Sequence, residues 1–225
     1  MSCKFINIIN SSIVKKQFIG LTGLLLCGFL VSHLAGNLLI FVGDEAFNRY
    51  AYTLTSNKAF LYTAESILGL IFLSHLVLAL RVTYENYDAR PEKYAVKTRT
   101  GKGATFASST MPITGLILLA FIIWHLKGLK FGPEYTITYG NTEMRDLYRL
   151  LLEYFSIPLN VIGYIFGMVA MGFHVSHGFW SAFQSLGLSH PRYTPLLNNL
   201  AIIFSIVISI SFSILPIYCY FKGVN

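Results

Sequence analysis

The chain reads as an all-α integral membrane bundle of five transmembrane helices. Three features carry that reading: 54% of its 225 residues are hydrophobic, only 12% are charged, and five separate stretches are apolar enough to cross a bilayer. A soluble domain carries roughly 25% charged residues, and each helical crossing takes about 20 mostly apolar residues. The expected spans are 18–42, 60–82, 106–126, 157–180 and 197–221, within a single domain over 1–225.

The first apolar run follows Lys15 and Lys16 and could pass for a secretory signal. It is too long for one and lacks a small-residue cleavage site, so it is expected to stay as the first span. The second run carries Glu65 near its start, and the third ends at Trp124-His125. The connection over 127–156 is the longest, and 141–154 within it is expected to form an interfacial amphipathic helix. Pro158 opens the fourth run, and the fifth contains no histidine. The spans hold about half the chain, which leaves too little for an extramembrane catalytic domain. Chemistry on a soluble substrate would need another subunit.

Other classes are excluded by what the chain lacks. Cys3, Cys27 and Cys219 are far apart, with no C-x-x-C or C-x-x-C-H, which argues against iron-sulfur clusters and covalently attached haem. No G-x-G-x-x-G, phosphate loop or internal repeat is evident, so nucleotide binding is not expected. The 17 basic against 10 acidic residues do not point to nucleic acid in so apolar a chain; topology and anionic lipid headgroups account for them. With five spans, the N-terminal side carries Lys4, Lys15, Lys16, Arg81, Arg90, Lys93, Lys97, Arg99, Lys102 and Arg192. The opposite side carries Arg49, Lys58, Lys127, Lys130, Arg145, Arg149 and Lys222. The more basic side faces the cytoplasm, so the N-terminus is expected there, in the cell's inner (cytoplasmic) membrane.

Ionisable side chains inside a span are costly, which draws attention to the histidines. His33, His75 and His125 lie in the first three spans, His174 and His177 in the fourth, and His190 in a loop. Each of the four spans carries its histidine toward its own C-terminal end, and successive spans run in opposite directions. His33 and His125 therefore belong to an outer layer, and His75 with His174 or His177 to a cytoplasmic layer. At about 1.5 Å per residue, His33 lies about 22 Å along its span from Phe18, and His75 is as far from Phe60. Two facing imidazoles in a bundle interior are what a six-coordinate haem b requires, so the pattern points to two haem b groups with these histidines as axial iron ligands. The alternative for any one histidine is an interhelical hydrogen bond. Ser32, Gly36, Ser74, Gly128, Gly167 and Gly172 are expected to let a macrocycle approach the backbone. His174 and His177 share a helix face, and spacing does not choose between them.

The motifs Ser32-His33-Leu34, Asp44-Glu45-Ala46-Phe47-Asn48, Ser74-His75, Trp124-His125 and Phe173-His174-Val175-Ser176-His177-Gly178-Phe179-Trp180-Ser181 run through the whole chain in order. In them the chain resembles the dihaem cytochrome b membrane anchor subunits of the succinate dehydrogenase and fumarate reductase family. The resemblance implies that His33 and His125 share one haem and His75 and His174 the other. The family's fourth ligand lies four residues before the glycine preceding the aromatic pair, here Gly178, which selects His174 and leaves His177 secondary. It further implies electron transfer between an iron-sulfur subunit and a quinone, menaquinone or ubiquinone. A flavoprotein and the iron-sulfur protein would dock on the cytoplasmic face near Arg81, the Lys93–Lys102 loop and Gln184-Ser185-Leu186-Gly187. The chain departs from some menaquinone-using relatives, which have a glutamate two residues before the fourth ligand, where this sequence has Gly172. A quinone needs a protonatable group near the membrane surface, and Glu65 is the candidate for an outer quinone site. Haem propionates could be met by Lys15, Lys16, Arg81 or Lys127. Two other readings remain open: a haem b anchor of a hydrogenase or formate dehydrogenase, and a haem-free transporter.

Overall fold

The structure, a computed structural model, describes residues 11–89 and 106–223. Cys3, Lys4, Arg90 and the basic loop Lys93–Lys102 lie outside the described residues.

Helix α1, Ser12–Asn37, starts where the Ser11 hydroxyl accepts from the Val14 N–H, and it tightens into one 3-10 turn, Leu38–Phe41. Gly43, at φ 140°, reverses the chain into α2, Asp44–Ser56, whose first turn bears Asp44 and Glu45. Carboxylates there suit the positive helix end. The Asn57 side chain caps α3, Lys58–Asp88. Helix α4, Phe106–His125, runs through Pro112 and closes in a single π turn, Leu126–Lys130. A hairpin of β1, Thr136–Tyr139, and β2, Thr142–Arg145, precedes α5, Leu147–Phe155. Pro158 opens α6, Pro158–Ser185, and α7, Thr194–Lys222, is the last described helix. Among the described residues five helical stretches are long and apolar enough to cross a membrane: Ser12–Phe41, Lys58–Asp88, Ser108–Lys130, Pro158–Ser185 and Thr194–Lys222.

Helix α6 is central. It packs on α7, α4 and α1 and buries Val161, Tyr164, Gly167, Met168, Ala170, Met171, Val175 and Ala182. Helix α3 is the opposite case: it packs on α1 and α2, buries no residue, and exposes Ile67, Leu70, Leu73, Val77 and Leu80. In lipid such side chains meet acyl chains as apolar as themselves, so exposure carries no hydrophobic cost.

Two features between the spans differ from expectation. The interfacial helix is only Leu147–Phe155, not 141–154, because Thr142–Arg145 pairs with Thr136–Tyr139 in antiparallel register across Gly140-Asn141. Gly140 has φ 64°, the backbone that two-residue hairpin turns demand, and the strands hold Thr, Ile and Tyr, which favour pleated backbone. The bundle is therefore not purely helical. Helix α2 lies outside all the expected spans, since its face is too polar to register as a crossing.

Asn48 joins these pieces. It is fully buried; its Nδ2 donates to Asp146 Oδ1 at 2.9 Å, and its Oδ1 accepts from the Tyr148 N–H at 3.0 Å. Asp146 Oδ1 also caps α5 through the Arg149 N–H, and the Tyr139 hydroxyl donates to Asp44 Oδ2 at 2.7 Å. That hydrogen bond holds the Asp44 carboxyl below the usual carboxylate range.

Asn48→Ala leaves the Tyr148 N–H and Asp146 without their buried partner, and should cost about 1–3 kcal/mol. Thermal unfolding in detergent, with limited proteolysis at the hairpin, measures the loss. Because Asp44 has a depressed folded pKa, its contribution is complete above the ordinary carboxylate range and disappears as pH falls through the depressed value. Unfolding midpoints followed from neutral to acid pH should show this loss in the wild type, and Asp44→Asn should remove that part of the pH dependence.

Candidate functional site

Two pairs of histidines face each other across the bundle. His33 of α1 and His125 of α4 have ring centroids 5.9 Å apart at 86°, and His75 of α3 and His174 of α6 lie 6.4 Å apart at 68°. A bond from a metal to an imidazole nitrogen is about 2 Å and that nitrogen is about 1 Å from its ring centre, so trans imidazoles on one metal hold their centres about 6 Å apart. Both separations fit one iron between the rings. His177, half-buried one turn beyond His174, is not the ring that meets His75.

Each histidine has its own surroundings. The Phe29 ring stacks on His33 and the Phe121 ring on His125, each from four residues earlier in the same helix. His125 Nδ1 lies 3.2 Å from the Tyr164 hydroxyl. Tyr164 also meets the rings of Phe121, Trp124, Tyr154 and Phe155, so it links α4, α5 and α6. His33 has the Asn37 amide 3.5 Å from both ring nitrogens, with its main bond to the His33 carbonyl at 2.8 Å. In the other layer, His75 Nδ1 lies 3.1 Å from Thr22 Oγ1, and His174 Nδ1 lies 3.2 Å from Thr114 Oγ1.

The small residues distribute otherwise than expected. Tyr50 covers Gly36, Tyr154 covers Gly128, Phe121 covers Gly167 and the Ser209 hydroxyl faces Gly172. Ser32 and Ser74 are exposed and bond back to their own helices, at Phe29 O and Leu70 O. The glycines that face imidazoles are Gly23 and Gly115: a Cβ on them would stand 3.3 Å from His75 Cε1 and 3.4 Å from His174 Cε1. Neither was picked out by its sequence neighbours, because each faces a histidine of another helix, 52 residues further along the chain for Gly23 and 59 for Gly115, rather than one beside it on its own helix.

A repeat runs through these contacts. Thr22-Gly23-Leu24, Phe29 and His33 recur as Thr114-Gly115-Leu116, Phe121 and His125 at the same intervals. Threonine and histidine are eleven residues apart, three turns plus about 20°, so they share a helix face about 16 Å apart. Helices α1 and α4 thus each give a histidine to one layer and a hydroxyl to the other. The matching residues are too few and too spread among common apolar types for the repeat to stand out in the sequence.

The charged candidates also find partners. Glu65 forms an ion pair with Lys130 from the end of α4. Lys15, buried in α1, holds Glu85 of α3 at 2.5 Å, and Arg81 reaches the same carboxylate at 3.0 Å. Lys16 and Lys127 are exposed.

No protein-family profile matches the chain, and no solved structure matches it. Among curated proteins, the chain is similar to the succinate dehydrogenase cytochrome b558 subunit of Bacillus subtilis (strain 168), with 26% identity over 188 residues, which spans 82% of this chain and 83% of that protein.

Proposed function

We propose that the chain is a dihaem cytochrome b membrane subunit of the succinate dehydrogenase and fumarate reductase type, passing electrons between an iron-sulfur partner and a membrane quinone. The observation that carries the reading is the pair of facing histidine couples, with ring centroids 5.9 and 6.4 Å apart, each of which would hold one haem iron between its imidazoles. Among the described residues no cluster of three or more His, Cys, Asp or Glu could hold a bare metal ion. Two ligands per layer suit a group that brings its own equatorial nitrogens, as haem does. The similarity to the Bacillus cytochrome b558 subunit supports the same reading.

In this proposal His33 and His125 hold the outer haem, and His75 and His174 hold the cytoplasmic one. Haem held there would supply one-electron chemistry, which reaction with a two-electron quinone requires. The protein's own residues do the rest. The four imidazoles would hold the iron, Phe29 and Phe121 restrain the rings of His33 and His125, and the apolar bundle excludes water. Lys15 and Arg81, already gathered at Glu85, form a cationic corner able to receive a propionate. The chain sits in the cytoplasmic membrane with its N-terminus in the cytoplasm, where the flavoprotein and iron-sulfur subunits dock near Arg81 and the turn after α6. The pair of Glu65 and Lys130 marks the outer quinone site: both side chains are more than a third exposed, and the carboxyl can exchange a proton with a quinone oxygen.

A reduced-minus-oxidised spectrum with haem quantitation on the purified chain tests the reading. Two b-type haems are expected, with His33→Ala and His75→Ala each removing a different one. His174→Ala should act like His75→Ala while His177→Ala keeps both. A folded wild type that takes up no haem under ample supply would overturn the proposal. Glu65→Gln should lower quinone-dependent turnover at least tenfold with both haems retained; unchanged turnover would remove Glu65 from the quinone site.

A further inference from the structure

The two hydroxyl contacts of the cytoplasmic layer carry more than packing. Thr22 Oγ1 lies 2.7 Å from Phe18 O and 3.1 Å from Ile19 O, both carbonyls of its own helix. Thr114 Oγ1 lies 3.1 Å from both Thr110 O and Met111 O. A carbonyl has no proton to give, so each hydroxyl hydrogen is committed to the backbone, and the side of the oxygen facing the imidazole is a lone pair. A lone pair on Nδ1 would repel it. His75 and His174 must therefore carry their protons on Nδ1 and donate them to threonine, which leaves Nε2 bare. Gly23 and Gly115 complete the arrangement by letting the Cε1 edge of each ring lie against the facing helix. Both threonines are buried, at 7% exposure each, so water does not compete for the bond.

We propose that Thr22 and Thr114 are positioning residues for the cytoplasmic haem: each accepts the Nδ1–H of the histidine opposite and holds the tautomer and ring angle that present Nε2 to iron. This rests on the dihaem reading above. It also separates the two layers chemically. Both cytoplasmic imidazoles are held alike by aliphatic hydroxyls, whereas the outer pair meets one phenol, at His125, and one amide, at His33. A hydrogen bond from Nδ1–H makes the imidazole a stronger donor to the metal and favours ferric iron. Loss of the bond should then raise the midpoint potential of the cytoplasmic haem alone.

The test uses Thr22→Val and Thr114→Val, which keep the shape and remove the oxygen, and the corresponding serine variants, which restore it. Purified protein is examined by haem quantitation, redox titration of each haem and electron paramagnetic resonance of the ferric low-spin signals. The valine variants should shift the cytoplasmic haem's potential upward and weaken its retention by about 10–100-fold, with its ferric signal displaced. The outer haem, in the same molecule, should titrate as in the wild type, and serine should restore the cytoplasmic one. A two-haem wild type whose valine variants titrate unchanged would overturn this assignment while leaving the dihaem reading intact. So would valine variants that lose both haems together, or serine variants that behave like valine, since either result means the threonines act through packing. A wild type without haem would overturn the functional reading itself, and this inference with it.

Discussion

An imidazole placed in hydrocarbon has no water to satisfy it, so every buried histidine in the bundle must find a partner in protein or cofactor. The organisation of the chain follows from how four of them do so. Because adjacent helices run in opposite directions and each carries its histidine toward its C-terminal end, the rings can meet only in two layers, His33 with His125 and His75 with His174. The hydroxyls of Thr22 and Thr114 then take up the second nitrogen of one couple. Those demands oblige α1 and α4 to serve both layers, and they leave α3 as a peripheral helix whose contact with the rest is made largely through α1 and through the ion pair of Lys15 with Glu85.

The segments between the spans are not passive connectors. Asn48 ties α2 to the hairpin and to the start of α5, and α5 in turn sets Tyr154 and Phe155 against Tyr164. Since the Tyr164 hydroxyl is the neighbour of His125 Nδ1, these connecting segments and the couple of His33 with His125 are parts of one packed unit. The couple of His75 with His174 has no such lid among the described residues; its order comes from within the helices.

Much of this was legible in the sequence, for a definite reason. Apolar runs of about 20 residues have few interpretations, and histidines inside them are rare enough for their depth and order to imply pairing. The same logic fails between spans. Thr142–Arg145 and Asn141 could lengthen an amphipathic helix, and only the pairing with Thr136–Tyr139 across Gly140 makes them a strand. Asp44–Ser56 has the polarity of a loop and becomes helical because Phe47 and Asn48 are buried against neighbours distant in sequence. The glycines illustrate a third limit. Gly36, Gly128 and Gly167 stand near histidines in sequence yet receive the rings of Tyr50, Tyr154 and Phe121, while Gly23 and Gly115 face imidazoles that belong to other helices. Contacts between helices depend on rotation about the helix axis, which no single span encodes by itself.

The shared eleven-residue interval from Thr22 to His33 and from Thr114 to His125 has an evolutionary corollary. One residue inserted within either interval turns everything beyond it by about 100° and lifts it about 1.5 Å, which would swing the histidine off the helix face it shares with the threonine. Length changes within these two stretches are thus closed to descent with retained function, even where the intervening leucines and isoleucines are freely exchanged. Drift in such a lineage has to proceed by substitution inside the spans, and by insertion and deletion only outside them.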